Sequence, residues 1–271
     1  MKFLESIIYG FISGFSEFLP ISSSAHQRLI GSVLGSDSAD PVRNLFVHIA
    51  VLLALWLGTE KARNRIRAAQ RNQSRRRKEA GSKAAAEYRL LRAATIPFLI
   101  AFFLLRYILP SNVSLLLISL FLLLNGIVIF LPDRMLQGNK NAKVMTKFDG
   151  ALIGISGALC ALPGFSRVGV MYSVAAMRGA ERKASVNWAL LLSIPALVGW
   201  VILDFLALLS GSGVPFWSNL LYYFISALFA FLGTRASIYV LRRHIRSVGC
   251  SGYAFYCWGA ALFSLILFLI A

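Results

Sequence analysis

The stretch Glu17-Phe-Leu-Pro-Ile-Ser-Ser-Ser-Ala-His26 sets a carboxylate, a proline break, three consecutive hydroxyls and an imidazole within one short segment of an otherwise apolar N-terminus. That combination suits attack on phosphorus. A serine supplies the nucleophile and a histidine serves as base or orienter. Glu17 can hold a divalent cation through its oxygens or act as the base itself. If Ser22–His26 opens a helix, Ser22 and Ser23 lie four and three residues before His26, on one face.

Pro163-Gly-Phe-Ser-Arg167 repeats the layout, again with a serine three residues after a proline. Aligning Ile12–His26 with Ile155–Gly169 gives identities at Ile12/Ile155, Ser13/Ser156, Gly14/Gly157, Leu19/Leu162, Pro20/Pro163 and Ser23/Ser166. Each break predicts an exposed helix N-terminus, capped from the run Ser22-Ser23-Ser24 in one copy and by Ser166 in the other. Free backbone N–H groups at such places attract anions. Arg167 adds a planar donor fork suited to phosphate oxygens.

The elements that must position these residues are membrane helices. The chain is 58% hydrophobic over 271 residues, with mean hydropathy +0.69. Several apolar runs approach the ~20 residues that cross a bilayer. The runs are continuous and not alternating, which excludes a barrel. The sequence therefore predicts an all-α integral membrane protein, a single membrane domain over 1–271. A net charge of +17 sits in loops, where it reports orientation before anything else, so nucleic acid is not an expected partner. Cys160, Cys250 and Cys257 are scattered, and no disulfide or zinc site is expected. The N-terminus has no basic n-region or cleavage site of a removable signal peptide.

Residues 1–35 and 148–184 are interrupted apolar segments whose halves are too short to span, and they read as two re-entrant helical hairpins. About six transmembrane helices complete the chain, expected at 42–59, 90–109, 113–132, 186–209, 217–241 and 252–271. Between the first two lies 60–92, with twelve Lys/Arg against three Glu. It reads as a helical, solvated cytoplasmic loop. The loops at 133–147 and 242–246 are basic too, while the turns at 110–112 and 210–216 are uncharged. Three spans separate the two hairpins, which inverts the second relative to the first. The expectation is an inverted-topology repeat whose tips meet near the midplane. Asp204 and Arg235, both inside spans, are expected to pair; His48 is also intramembrane and could line the site.

These motifs resemble those of the bacitracin-resistance type undecaprenyl pyrophosphate phosphatases. Glu17–His26 is similar to that family's first motif and Pro163–Arg167 to its second, and the similarity runs through nearly the whole chain. The resemblance implies a multi-pass enzyme of the bacterial cytoplasmic (inner) membrane that removes the terminal phosphate of undecaprenyl pyrophosphate and so recycles the lipid carrier for cell-wall synthesis. It implies an outward-facing site and dependence on a divalent cation, Mg²⁺ or Ca²⁺, with Glu17 as the metal-binding candidate. By motif position Glu17 is the essential acid, Ser23 the nucleophile, His26 its partner and Arg167 the pyrophosphate clamp. Ser22, Ser24, Gly164 and Ser166 line the substrate pocket. The expected partners are the polyprenyl pyrophosphate lipid and the membrane, and a homodimer is allowed.

Three positions depart from the family pattern. Ser13 stands where Glu or Gln is usual, Ala25 where Gly is usual, and Val168 where Ser is usual. Loss of a carboxyl or amide at Ser13 and of a hydroxyl at Val168 is expected to thin the metal or phosphate shell. A carrier that flips a polyprenyl phosphate is the alternative, because broken helices in inverted repeats also build alternating-access transporters.

Overall fold

The computed structural model describes residues 2–34, 40–73, 83–108, 113–210 and 216–270. The α-helices among them are α1 (Lys2–Phe18), α2 (Ser23–Leu34), α3 (Pro41–Gly58), α4 (Glu60–Gln73), α5 (Lys83–Ile108), α6 (Leu115–Phe130), α7 (Lys147–Ala158), α8 (Arg167–Met177), α9 (Arg182–Leu209), α10 (Phe216–Ser247) and α11 (Ser251–Ile270). Six of these, α3, α5, α6, α9, α10 and α11, are long and apolar enough to cross a membrane. Their outer faces expose large apolar side chains, Leu53, Ile100, Leu123, Phe224 and Phe263 among them. Such a surface is stable in lipid and not in water. The protein is an all-α, multi-pass integral membrane protein. The expected turn at 110–112, residues 211–215 of the expected turn at 210–216 and residues 74–82 of the basic loop lie outside the described residues.

Several helices outrun the apolar windows that announce them. α5 begins at Lys83, α9 at Arg182, and α10 continues to Ser247. Good helix formers such as Ala, Lys and Arg carry the hydrogen-bond ladder past the membrane surface. The 60–92 segment is helical in its described parts, but it is not simply solvated. Arg63, Ile66, Ala85, Ala86 and Glu87 are buried. The Arg63 guanidinium stacks 3.5 Å over the Trp56 ring and donates to the Trp56 carbonyl. Glu87 accepts from Arg65 and from the Trp188 indole N–H.

Several of the main helix pairings map onto one another under exchange of the two halves of the chain. α1 packs on α10 as α7 packs on α5, while α3 meets α9 and α6 meets α11. Swapping α1 with α7, α3 with α9, α5 with α10 and α6 with α11 returns these four pairings. This is the signature of an inverted repeat. The α1–α10 and α7–α5 crossings are built alike. Gly14 leaves no room for a Cβ against the Ala230 carbonyl, and Gly154 leaves none against the Ala94 carbonyl. Small residues four apart let the backbones touch where lipid supplies no hydrophobic drive.

Candidate active site

Two broken-helix tips meet in the middle of this bundle. The first break runs from Leu19 to Ser22, between α1 and α2. Ser22 adopts the left-handed conformation, φ 69°, an uncommon state for a residue with a side chain. Its Oγ accepts from the Ala25 N–H and so caps α2. The second break follows α7 through a 3-10 turn, Leu159–Ala161. It passes Pro163 and reaches Gly164, whose φ of +131° only glycine adopts freely. Ser166 then caps α8, its side chain accepting from the Gly169 N–H.

Hydrogen bonds lock the tips together. The Gly164 N–H donates to Ser22 Oγ at 3.1 Å. The Ser166 hydroxyl donates to the Leu19 carbonyl at 3.0 Å. Asn125 of α6 reaches both tips: its Nδ2 donates to the Pro20 carbonyl at 3.2 Å and its Oδ1 accepts from the Ser166 N–H at 2.9 Å. Asn125 is fully buried. Replacing it by Leu strands the Ser166 N–H, at about 1–3 kcal/mol, and leaves the Pro20 carbonyl with only the Cys257 thiol at 3.5 Å. Asn125→Leu is therefore expected to lower the thermal midpoint in detergent and the activity together.

Beside the joined tips lies a cavity of about 410 Å³, lined among others by Glu17, Ser23, Ser24, Ser166 and Arg167. Arg167 Nη2 donates to Glu17 Oε1 at 2.6 Å, and its Nε donates to Ser193 Oγ at 3.1 Å. The Arg167 side chain is 3% exposed and that of Glu17 12%. A carboxylate and a guanidinium from opposite halves of the repeat thus share one partly desolvated place. The cavity also receives Arg28 and Arg106 on one side and the Asp204 carboxylate on another. Three arginines against two carboxylates make it a seat for an anion. Its lining includes Pro41, Arg106, Val113 and Ala207, all near the helix ends opposite the basic loops. By the positive-inside rule these ends lie away from the cytoplasm.

The sequence-selected residues divide into two sets. Glu17, Ser23, Ser24, Ser166 and Arg167 line the cavity, with the Ser23 hydroxyl donating to the Ser13 carbonyl at 3.1 Å. Ser22 and Gly164 join the tips and do not line it. His26 faces elsewhere. Its Nδ1 lies 2.7 Å from the Ser22 carbonyl and its Nε2 2.8 Å from the Tyr256 hydroxyl. The ring borders a separate apolar crevice with Ile8, Ile12 and Phe263. Both ring nitrogens are engaged there, and neither is bonded to Ser23.

Other residues are brought in that the motifs do not contain. Asp204 does not pair with Arg235. On antiparallel α9 and α10 the two lie roughly 20 Å apart in depth, at 1.5 Å per residue, and Arg235 sits beside Gly58 at the opposite end of α3. Asp204 instead accepts from His48 Nδ1 at 2.5 Å, and both line the cavity. Asn125 had one visible sign, a single amide inside a strongly apolar span. The three departures from the family motif are buried: Ser13 is 1% exposed, Ala25 and Val168 fully enclosed. None of them lines the cavity.

The chain is 31% identical over 252 residues to an "Undecaprenyl-diphosphatase" of Desulforudis audaxviator, covering 90% of this chain and 91% of that one. It is 29% identical over 257 residues to the protein of the same name from Alteromonas mediterranea, covering 94% and 95%. A third, from Clavibacter michiganensis, is 35% identical over 209 residues, 73% of each chain. The family model of bacitracin resistance protein BacA matches residues 6–263, a span that takes in both tips and every helix that holds them, and the chain belongs to that family.

Proposed function

We propose that this protein hydrolyses undecaprenyl pyrophosphate to undecaprenyl phosphate and inorganic phosphate at the outer side of the bacterial inner membrane, returning the lipid carrier to cell-wall synthesis. The observation that carries this is the Glu17–Arg167 pair, 2.6 Å apart where the two tips meet beside the cavity. α2 and α8 have 12 and 11 residues. At 1.5 Å per residue neither crosses a ~30 Å hydrocarbon core, which supports reading α1–α2 and α7–α8 as re-entrant hairpins.

Arg167 binds the pyrophosphate oxygens, and its bonds to Ser193 and Glu17 fix the plane of its fork. Ser23, in the first turn of α2, presents its hydroxyl to the terminal phosphorus. Ser24 and Ser166 border the same space. His26 holds the Ser22 carbonyl and thereby the start of α2. It acts in this reading as a positioning residue for Ser23.

The donor set fits a divalent cation of a particular kind. Among the described residues no three His, Cys, Asp or Glu side chains converge on one point. A hard cation held by one carboxylate and completed by phosphate oxygens and water is nevertheless a common arrangement. Glu17 would hold it, with the Ser23 and Ser24 hydroxyls in the same cavity. Such an ion supplies charge neutralisation on the phosphate oxygens.

The carrier alternative is not favoured: the three relatives above are named as diphosphatases. Purified protein in detergent, given undecaprenyl pyrophosphate, should release one phosphate per lipid. Release should stop with chelator and resume with added Mg²⁺ or Ca²⁺. Movement of the lipid across vesicles by a folded protein that frees no phosphate would replace this function with the carrier.

A further inference from the structure

A serine nucleophile needs a group to take its hydroxyl proton, and in the reading above the first motif's two candidates have other tasks, Glu17 as cation holder and His26 as positioning residue. Glu17 is engaged by Arg167, and both nitrogens of His26 are bonded outside the cavity. Among the described residues His48 is the histidine that lines it. His48 lies midway along α3, and α9 holds it at two points. Asp204 bonds its Nδ1, and Trp200, one turn earlier on the same face of α9, stacks on the ring at 5.8 Å with an 18° interplanar angle. A carboxylate only accepts, so Nδ1 carries the proton. The other nitrogen, Nε2, makes no hydrogen bond among the described residues. Ring plane and tautomer are both set, as a proton-transferring imidazole requires.

From this geometry we infer that His48 is the proton-transferring residue of the cavity, with Asp204 as its positioning residue. The inference rests on the phosphatase reading. Nε2 takes the proton of the Ser23 hydroxyl as Oγ forms its bond to the terminal phosphorus. The bond from that phosphorus to the bridging oxygen breaks, and its electron pair leaves with the lipid monophosphate, which receives the proton from Nε2. A water then attacks the phosphoserine and gives its proton to Nε2. The Ser23 Oγ–P bond breaks, the electron pair returns to Oγ, and the proton from Nε2 restores the hydroxyl.

The charged groups sharing the cavity with His48 are Asp204 from α9, Glu17 from α1, Arg28 from α2, Arg106 from α5 and Arg167 from α8. Tyr9 of α1 bonds Asn44, one turn before His48, and Tyr223 of α10 lies against Phe46. A plain rivet between α3 and α9 would explain the His48–Asp204 bond equally well, so the test must separate the two roles.

The experiment measures phosphate release from undecaprenyl pyrophosphate by the full-length protein in detergent, from about pH 5.5 to 8.5 to bracket an imidazole. It compares wild type with His48→Ala, His48→Gln and Asp204→Asn and records each thermal midpoint. His48→Ala should lower kcat by about 10²- to 10³-fold, with KM within about threefold. Added imidazole should restore part of the rate. His48→Gln can still donate to Asp204 and hold the helices, yet it should be as inactive as the alanine variant and lack the acidic limb of the pH profile. Asp204→Asn should displace that limb. A glutamine variant with wild-type kcat and pH profile overturns the inference in favour of the rivet. Wild-type protein that frees no phosphate overturns the phosphatase reading itself, and this inference falls with it.

Discussion

Arg167→Ala is expected to lose both activity and stability, and for separable reasons. The guanidinium binds two partners in different directions, Ser193 through Nε and Glu17 through Nη2. Removing it deletes the donor fork that faces the pyrophosphate oxygens, worth about 10²- to 10³-fold in kcat for one such group. It also leaves the Glu17 carboxylate partly buried without its cation, a cost of about 3–5 kcal/mol. Arg167→Lys keeps the charge but not the fork, and should fall between. The double variant Glu17→Gln/Arg167→Gln removes both charges together. It should regain much of the thermal stability that Arg167→Ala loses, and remain inactive. Recovery of activity with stability would mean that the pair is only structural.

Ser23→Ala should produce the opposite profile. The Ser23 hydroxyl makes one hydrogen bond, to the Ser13 carbonyl, so its loss costs about 1 kcal/mol of stability. The nucleophile itself is gone, and the rate should fall by on the order of 10⁴-fold or more. Ser24→Ala, which removes only a 3.3 Å contact to Ser22 Oγ, serves as the neighbouring control and should cost about tenfold or less. Phosphate release by Ser23→Ala at the Ser24→Ala rate would assign the attack to water.

How much of this was legible in the chain follows from which signals are local. The six spans announce themselves by length and composition, and the proline breaks with their serine caps mark both tips. The inversion follows from counting spans, because topology needs only the parity of the crossings. Side-chain direction was not legible in the same way. His26 and Ser23 are one turn apart on α2, yet Ser23 lines the cavity while His26 meets Tyr256. Asp204 found His48 and not Arg235, because depth along antiparallel helices, not membership of a span, decides who can touch. Asn125 could be seen as an oddity in an apolar helix, but its partners are 105 and 41 residues away. Ser13 and Val168 read as losses from a metal or phosphate shell. With Ala25 they are buried and do not line the cavity, although the Ser13 carbonyl holds the Ser23 hydroxyl.

In the proposed function a pyrophosphate is cleaved where Glu17 and Arg167 meet. The most direct test is phosphate release from undecaprenyl pyrophosphate by the purified wild type beside Glu17→Gln, a variant that keeps the shape of the side chain and removes its charge. Cation-dependent release is expected from the wild type and a loss of about 10²-fold or more from the variant, with both proteins folded. Equal rates from the two would place the chemistry elsewhere in the molecule.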